Sequence, residues 1–293
     1  AVFEDVLDLS LELPFPVISY QETMETYGTD SPDIRFGLPL VDFIGFAEDS
    51  DFKALQSVET AKAIVVSNAE GYSRKVIDDL NTLVKEFSSQ EKKTPLGGLA
   101  WMKCNDGDLS GGVSKFFSEE LRQKIMESLG MGEGDLLLVA GGERETILTT
   151  MGALRLEIAN RDGLASDDDF KPLWVRDYPL FGKDEETGKW TFLHHPFTSP
   201  ALEDMDKFDF DPGSAGSRAY DLVINGWEIA GGSIRNHDPA VQLKIFELLG
   251  ISEKEAKDKF GFLLEGLTYG APPHGGIAFG FDRFVMILAG AKQ

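Results

Sequence analysis

The chain is short of cysteine, of basic residues and of long apolar runs. Its 293 residues include one cysteine, Cys104, which excludes a disulfide framework and any metal site built from several thiolates. That suits a reducing compartment. No apolar run reaches the ~18 residues of a membrane-spanning helix. The first segment, AVFEDVLDLSLELPFPV, carries four acids and no basic residue, so it lacks the positive start of a signal peptide. It also lacks an initiating methionine and reads like the end of a helix, and a longer parent chain is expected. Lys and Arg number 28 against 50 Asp and Glu, a formal charge of −22. This is the wrong sign for a broad nucleic-acid surface. Any such contact must use a local basic patch or a part outside this chain. Solubility or adaptation to salt is the plainer reading of the acidity.

Hydrophobic residues make up 42% of the chain, enough for a sizeable core. The texture points to an α+β protein in which a central unit interrupts another domain: a first segment at 1–36, an insertion at 37–145 and a second segment at 146–293. In the insertion, AKAIVVSN, GGLAWMKC and DLLLVAGG read as strands. SRKVIDDLNTLVKEF has a Ser73 cap and one apolar helical face, and SEELRQKIMESLG is a second capped helix closed by Gly130. TILTTMGALRLEIANRDG makes a helix ending near Gly163. Beyond SDDDFKP the pattern becomes antiparallel-sheet-like, with strands separated by Gly and Pro turns and helices at about 239–249 and 253–268. No repeat or low-complexity tract is present.

The stretch YDLVINGWEIAGGSIRNH concentrates the chemistry. Asn225-Gly226 is a strong two-residue hairpin signal. It pairs Ile224 with Trp227, Val223 with Glu228, Leu222 with Ile229 and Asp221 with Ala230. Asp221 and Glu228 then share a face as diagonal neighbours. Two carboxylates so placed can share a divalent cation such as Mg²⁺, which takes one or two carboxylates plus substrate phosphates. Arg235 is an odd number of residues after Glu228 and would point away. A bulge at Gly231-Gly232 would return it to the acidic face, where a guanidinium can grip a carboxylate bidentately. From spacing alone the pattern describes equally well a solvated face whose acids and arginine pair with one another. Two further pieces point the same way. Gly280 to Arg283 joins a strand to a helix N-terminus carrying an arginine, a weak phosphate-site signal. In HHPFTSP, His194 and His195 point to opposite sides if extended, so at most one faces a ligand, and metal binding by the pair is disfavoured.

Taken together, YGTDSPDIRF, MGALRLEIA, PLWVRDYPLF, HHPFTSP, YDLVINGWEIAGGSIR and GIAFGFDRFVMIL resemble, in order and across essentially the whole chain, the bacterial-type aspartyl-tRNA synthetases. Gly280–Arg283 matches the third signature motif of class II aminoacyl-tRNA synthetases. The central unit resembles the GAD insertion, a module that bacterial aspartyl enzymes share with a subunit of the tRNA-dependent amidotransferase. The resemblance implies a class II antiparallel sheet with helices, an aspartate–tRNA ligase activity in the cytoplasm or in an organelle of bacterial ancestry, and L-aspartate, ATP and tRNA as substrates. It implies Mg²⁺ at Asp221 and Glu228, aspartate held by His194 and Arg235, and ATP at Glu228, Gly280, Phe281, Asp282 and Arg283. Glu228 and Arg283 would be the catalytic pair, with Arg283 on the triphosphate.

The departures from the family pattern are the anticodon-binding OB domain and the first two class II motifs, to which nothing here corresponds. A partial catalytic domain, inactive alone, is therefore expected, with a homodimer expected for the full-length enzyme and no membrane partner. A second reading is a non-catalytic module that binds tRNA or a protein. A third is an amidating ligase of the asparagine synthetase type, against which the GAD-like insertion argues.

Overall fold

The computed structural model describes residues 1–91, 95–184 and 187–291. Two compact units emerge, one formed by Ala1–Glu22 and Phe170–Gln293, the other by Thr23–Asp169. The discontinuous unit begins with helix α1 (Val2–Leu7) and strand β1 (Val17–Ser19). The boundary then falls within helix α2 (Tyr20–Tyr27).

The continuous unit is an antiparallel sheet in the order β2-β3-β6-β4-β5. Its strands are β2 (Val41–Asp42), β3 (Thr60–Val66), β4 (Ala100–Asn105), β5 (Asp108–Ser110) and β6 (Leu136–Gly142). Its further helices are α3 (Ile44–Glu48), α4 (Lys53–Gln56), α5 (Arg74–Glu91), α6 (Glu119–Leu129) and α7 (Arg144–Asp162). Alternate residues of the central strands feed opposite cores, as the two-residue period requires. Ile64, Leu136 and Leu138 pack with Ile77 of α5 and Met151 of α7. Ala63, Leu137 and Val139 pack with Phe43 and with Ile125 of α6. Burial on both faces explains why DLLLVAGG is continuously apolar rather than alternating. The anticipated caps form: Ser118 Oγ accepts from Leu121 N, and Gly130 and Gly163 close α6 and α7 at φ 63° and 62°.

Helix α7 lies within this compact unit, and two contacts hold the segment 28–38 against it. Gly28, at φ 69°, lies so close to α7 that a Cβ there would sit 2.1 Å from the Leu148 carbonyl and 2.8 Å from Gly152 Cα. Arg155, at 0% exposure, reaches back into the loop DIRFGL. Its Nε donates to the Leu38 carbonyl at 3.1 Å, and its Nη2 donates to the carbonyls of Asp33, Phe36 and Gly37 at 2.9, 3.1 and 3.0 Å. The guanidinium lies 4.9 Å from the Tyr27 ring and 4.2 Å from the Phe36 ring. Burial lowers its pKa to about 10, so it stays charged at neutral pH.

The discontinuous unit carries the sheet β1-β7-β10-β11-β12. Its strands after the insertion are β7 (Pro172–Arg176), β8 (Phe181–Lys183), β9 (Trp190–Phe192), β10 (Ala219–Ile224), β11 (Trp227–Ile234) and β12 (Gly275–Phe279), with β8 and β9 forming a separate hairpin. Its helices are α8 (Pro239–Leu248), α9 (Glu253–Thr268) and α10 (Phe281–Leu288). The sheet is antiparallel as expected except at one edge, where β1 runs parallel to β7. A parallel pair needs a long crossover, and residues 20–171 supply one.

Replacing Arg155 with Met would leave four carbonyls, of which that of Asp33 is buried and the others partly buried, without this donor. The expected cost is about 3 kcal/mol or more, read as a fall in the urea midpoint. Arg155→Lys should recover only part, because an ammonium cannot span the same acceptors in one plane.

Candidate active site

The site is built on the β10–β11 hairpin. Asn225 and Gly226 turn the chain with φ 52° and 86°, both positive, as a two-residue hairpin of this kind requires. Ile224 pairs with Trp227 and Val223 with Glu228. The register then shifts between Leu222 and Val223, so that Leu222 faces Ala230 and Asp221 faces Gly231. Ile229 is the extra residue. The bulge expected at Gly231-Gly232 therefore sits two residues earlier, and the pairings Leu222–Ile229 and Asp221–Ala230 do not form.

The consequence anticipated for the bulge nevertheless follows. Paired residues share a face, so Asp221, Val223, Glu228, Gly231 and Ser233 lie together, and the next odd position is Arg235. Its Nη1 donates to Ser233 Oγ at 2.8 Å, which keeps the guanidinium on that face. Gly231 has a steric reason to be glycine. A Cβ there would lie 2.7 Å from Asp221 Oδ1 and 3.0 Å from Glu228 Oε1. The two carboxylates converge over a position that has no side chain.

The bulge is pinned from the neighbouring strand and helix. Gly280 N donates to the Ile229 carbonyl at 2.8 Å. Arg283, in the first turn of α10, donates from Nη1 to the Glu228 carbonyl at 3.0 Å and lies 3.7 Å from Glu228 Oε2. Both side chains are half-exposed, so this ion pair contributes little to stability. Its effect is to place the arginine beside the acid. Phe281 and Asp282 open α10 and are exposed.

A second constellation surrounds Arg235. The segment 195–199 lies against the end of β11, with Thr198 bridged to Arg235 and Ser199 N donating to the Ile234 carbonyl at 2.8 Å. His195 Nδ1 accepts from Phe197 N at 3.1 Å and lies 3.3 Å from Arg235 Nη1. Its Nε2 is 3.4 Å from Ser233 Oγ. Two donors facing Nδ1 require the neutral imidazole with its proton on Nε2. Burial first, then the charges of Arg235 and His194, push the His195 pKa from 6.5 to about 4. His194 instead meets the Tyr178 ring edge-on at 4.5 Å. Adjacent histidines do diverge, and it is His195 that faces Arg235. The sequence signal for it was this divergence, but no spacing rule chose which of the two would turn inward. Ser233 was hidden for a similar reason: its face depends on where the bulge falls.

The donor set fits a hard divalent cation. Asp221 is 7% exposed and Glu228 open to solvent, and among the described residues no group of three or more His, Cys, Asp or Glu could hold a metal ion. Two converging carboxylates without a fuller protein cage match a cation whose remaining ligands are water and phosphate.

Comparison with known proteins adds the family. A model of tRNA synthetases class II (D, K and N) matches residues 1–293. An aspartate–tRNA(Asp/Asn) ligase of Natranaerobius thermophilus is 43% identical over 100% of this chain and 49% of its own length. An aspartate–tRNA ligase of Oceanobacillus iheyensis is 44% identical over 100% of this chain and 49% of its own. The chain thus spans about half the length of the curated relatives it matches. Among solved structures, aspartyl tRNA synthetase from Entamoeba histolytica aligns with TM-score 0.32 and 21% identity over 47% of this chain and 23% of that one. Asparaginyl-tRNA synthetase from Pyrococcus horikoshii aligns with TM-score 0.31 and 22% identity over 42% of this chain and 24% of that one. Scores this low carry no argument.

The His195 environment makes stability depend on pH with a definite sign. Its folded pKa, about 4, lies below the ordinary 6.5, so the unfolded chain binds the extra proton between those values. The contribution is complete above pH 6.5 and fades as pH falls towards 4. Urea midpoints should drop across that window. His195→Asn, which retains an acceptor near the Nδ1 position but cannot titrate, should flatten this component; an unchanged slope would refute the assignment.

Proposed function

This chain belongs to the class II tRNA synthetases of the D, K and N group, and we propose that it forms part of the catalytic domain of an aspartate–tRNA ligase. The observation that carries the reading is the convergence of Asp221 and Glu228 over Gly231, on the face that Arg235 joins through the bulge at Ile229. Acidic oxygens for a metal-bound triphosphate and a guanidinium for a carboxylate stand on one sheet surface.

In this reading Arg235 grips the side-chain carboxylate of L-aspartate. Its tethers to Ser233 and His195 use Nη1, and a guanidinium has five N–H donors, so the Nε–Nη2 edge remains for a bidentate partner. A neutral His195 supports the role, since it orients the arginine without adding a competing charge. His194 approaches the amino acid from the same loop. ATP lies along Glu228 and Gly280–Arg283, with Arg283 on the triphosphate. Mg²⁺ held by Asp221 and Glu228 would neutralise phosphate charge. The aspartate α-carboxylate attacks the α-phosphorus, the bond to pyrophosphate breaks, and the aspartyl group then passes to tRNA. The protein contributes in-line positioning and charge stabilisation rather than covalent chemistry.

We assign residues 37–145 to the GAD-like insertion and the activity to a longer chain, of the relatives' length, acting as a homodimer in the cytoplasm. The charge of −22 confines tRNA contact to local basic surface. Among the described residues no helix is long and apolar enough to cross a membrane.

Aspartate-dependent ATP–pyrophosphate exchange tests the reading. The longer protein should catalyse it and these 293 residues alone should not; no exchange by the longer protein would sink the proposal. Arg235→Lys should raise the aspartate KM about 10- to 100-fold, the equivalent of one strong charge-assisted contact, while the ATP KM moves less than about twofold. Equal losses would remove Arg235 from the aspartate site. Glu228→Gln should shift the Mg²⁺ dependence of exchange to higher concentration, and an unaltered titration would remove it from the metal.

A further inference from the structure

We propose that Gln242, with Asn236, forms a buried amide clamp that positions the Arg235 guanidinium for its carboxylate ligand. The ligand part of this inference rests on the reading of Arg235 given above.

Gln242 lies in the first turns of α8 at 0% exposure, and Asn236 is 6% exposed. The glutamine Nε2 donates to the Pro196 carbonyl at 2.7 Å, and its Oε1 accepts from Asn236 Nδ2 at 3.1 Å. Asn236 is itself held: its backbone N donates to the Phe197 carbonyl at 2.8 Å and its Oδ1 accepts from Asp238 N at 3.2 Å. Asp238 in turn caps α8 through Ala240 N. Three segments therefore meet at one side chain.

The positions are specific. Pro196 directly follows His195, and Asn236 directly follows Arg235. Gln242 ties together the two residues that adjoin the His195–Arg235 contact of 3.3 Å. The backbone separation at 196 and 236 thus sets how closely imidazole and guanidinium approach. A wholly buried amide is costly unless its donors and acceptors are engaged, and on this helix the neighbouring inward positions, Ile245 and Phe246, are apolar. An aliphatic side chain would fill the space at Gln242 but would remove the ties to Pro196 and Asn236 that supplement the backbone bonds between loop and strand. Gln242 is a positioning residue: it touches neither reactant and acts through His195 and Arg235.

Two variants test this. Gln242→Met retains length without hydrogen bonds. Gln242→Glu retains the acceptor for Asn236 but loses the donor to Pro196. In the longer protein, Gln242→Met should raise the aspartate KM about tenfold with the ATP KM within about twofold, and Gln242→Glu, which sets a buried carboxylate against the Pro196 carbonyl, should raise it at least as far. A nitrogen-15 spectrum of the imidazoles, of which the chain has only four, reads the clamp directly. Wild-type His195 should show the Nε2–H tautomer, and Gln242→Met should show a mixture. Parallel rises in both KM values, or an unchanged aspartate KM with an unchanged His195 tautomer, would overturn the clamp. If the wild-type protein shows no aspartate-dependent exchange, the functional reading fails by itself. The tautomer then decides: altered in Gln242→Met it supports the clamp, unaltered it overturns it.

Discussion

One extra residue, Ile229, governs the geometry of the site. Side chains alternate along a strand, so a single insertion exchanges the faces of everything beyond it. Without it Glu228 and Arg235 would project to opposite sides of β11. With it, Asp221, Glu228, Ser233 and Arg235 share one surface. The bulge interrupts the ladder, and its carbonyls need donors. Gly280 N takes that of Ile229, and Arg283 takes that of Glu228. The strand–helix junction that carries the putting of an arginine beside the acid is also the junction that completes the bulge's hydrogen bonds.

The electrostatics of the site follow from the same packing. The loop 195–199 is fastened to the end of β11 by backbone bonds, and this brings an imidazole against a guanidinium. The contact is favourable only while the imidazole is neutral, and burial and the neighbouring charge both favour that form. The acids on the same face have a different environment: Asp221 is largely buried and Glu228 open.

In the insertion unit a buried cation does a comparable job by different means. Arg155 sits in a cage of carbonyls and rings. It orders the loop DIRFGL by supplying the donors that four carbonyls lack. The close approach of Gly28 to α7 explains why the neighbouring motif has a glycine at that turn.

Local features were legible in the sequence because their causes are local. The Asn225-Gly226 turn, the Ser118 and Gly130 caps, helix 253–268 and the apolar strand 136–142 all follow from conformational preference or periodicity. The order of the motifs pointed to the family. Other features required the tertiary structure. The bulge lies at Ile229 and not at the glycines because Gly231 and Gly232 are spent on close approach: the first leaves room for two carboxylates, and the second packs against the Gly276 carbonyl and the Tyr220 ring. His195 rather than His194 faces Arg235 where the loop 195–199 docks on the end of β11 through Ser199 N and Asn236 N. The segment 28–38 packs with α7 because Gly28 closes on Gly152 and Arg155 binds the loop carbonyls. By itself the sequence determined the elements and the order of charged residues along them, since those depend on neighbours along the chain. Which groups share a surface was decided only in the tertiary structure, since register and loop docking depend on contacts between residues distant in sequence.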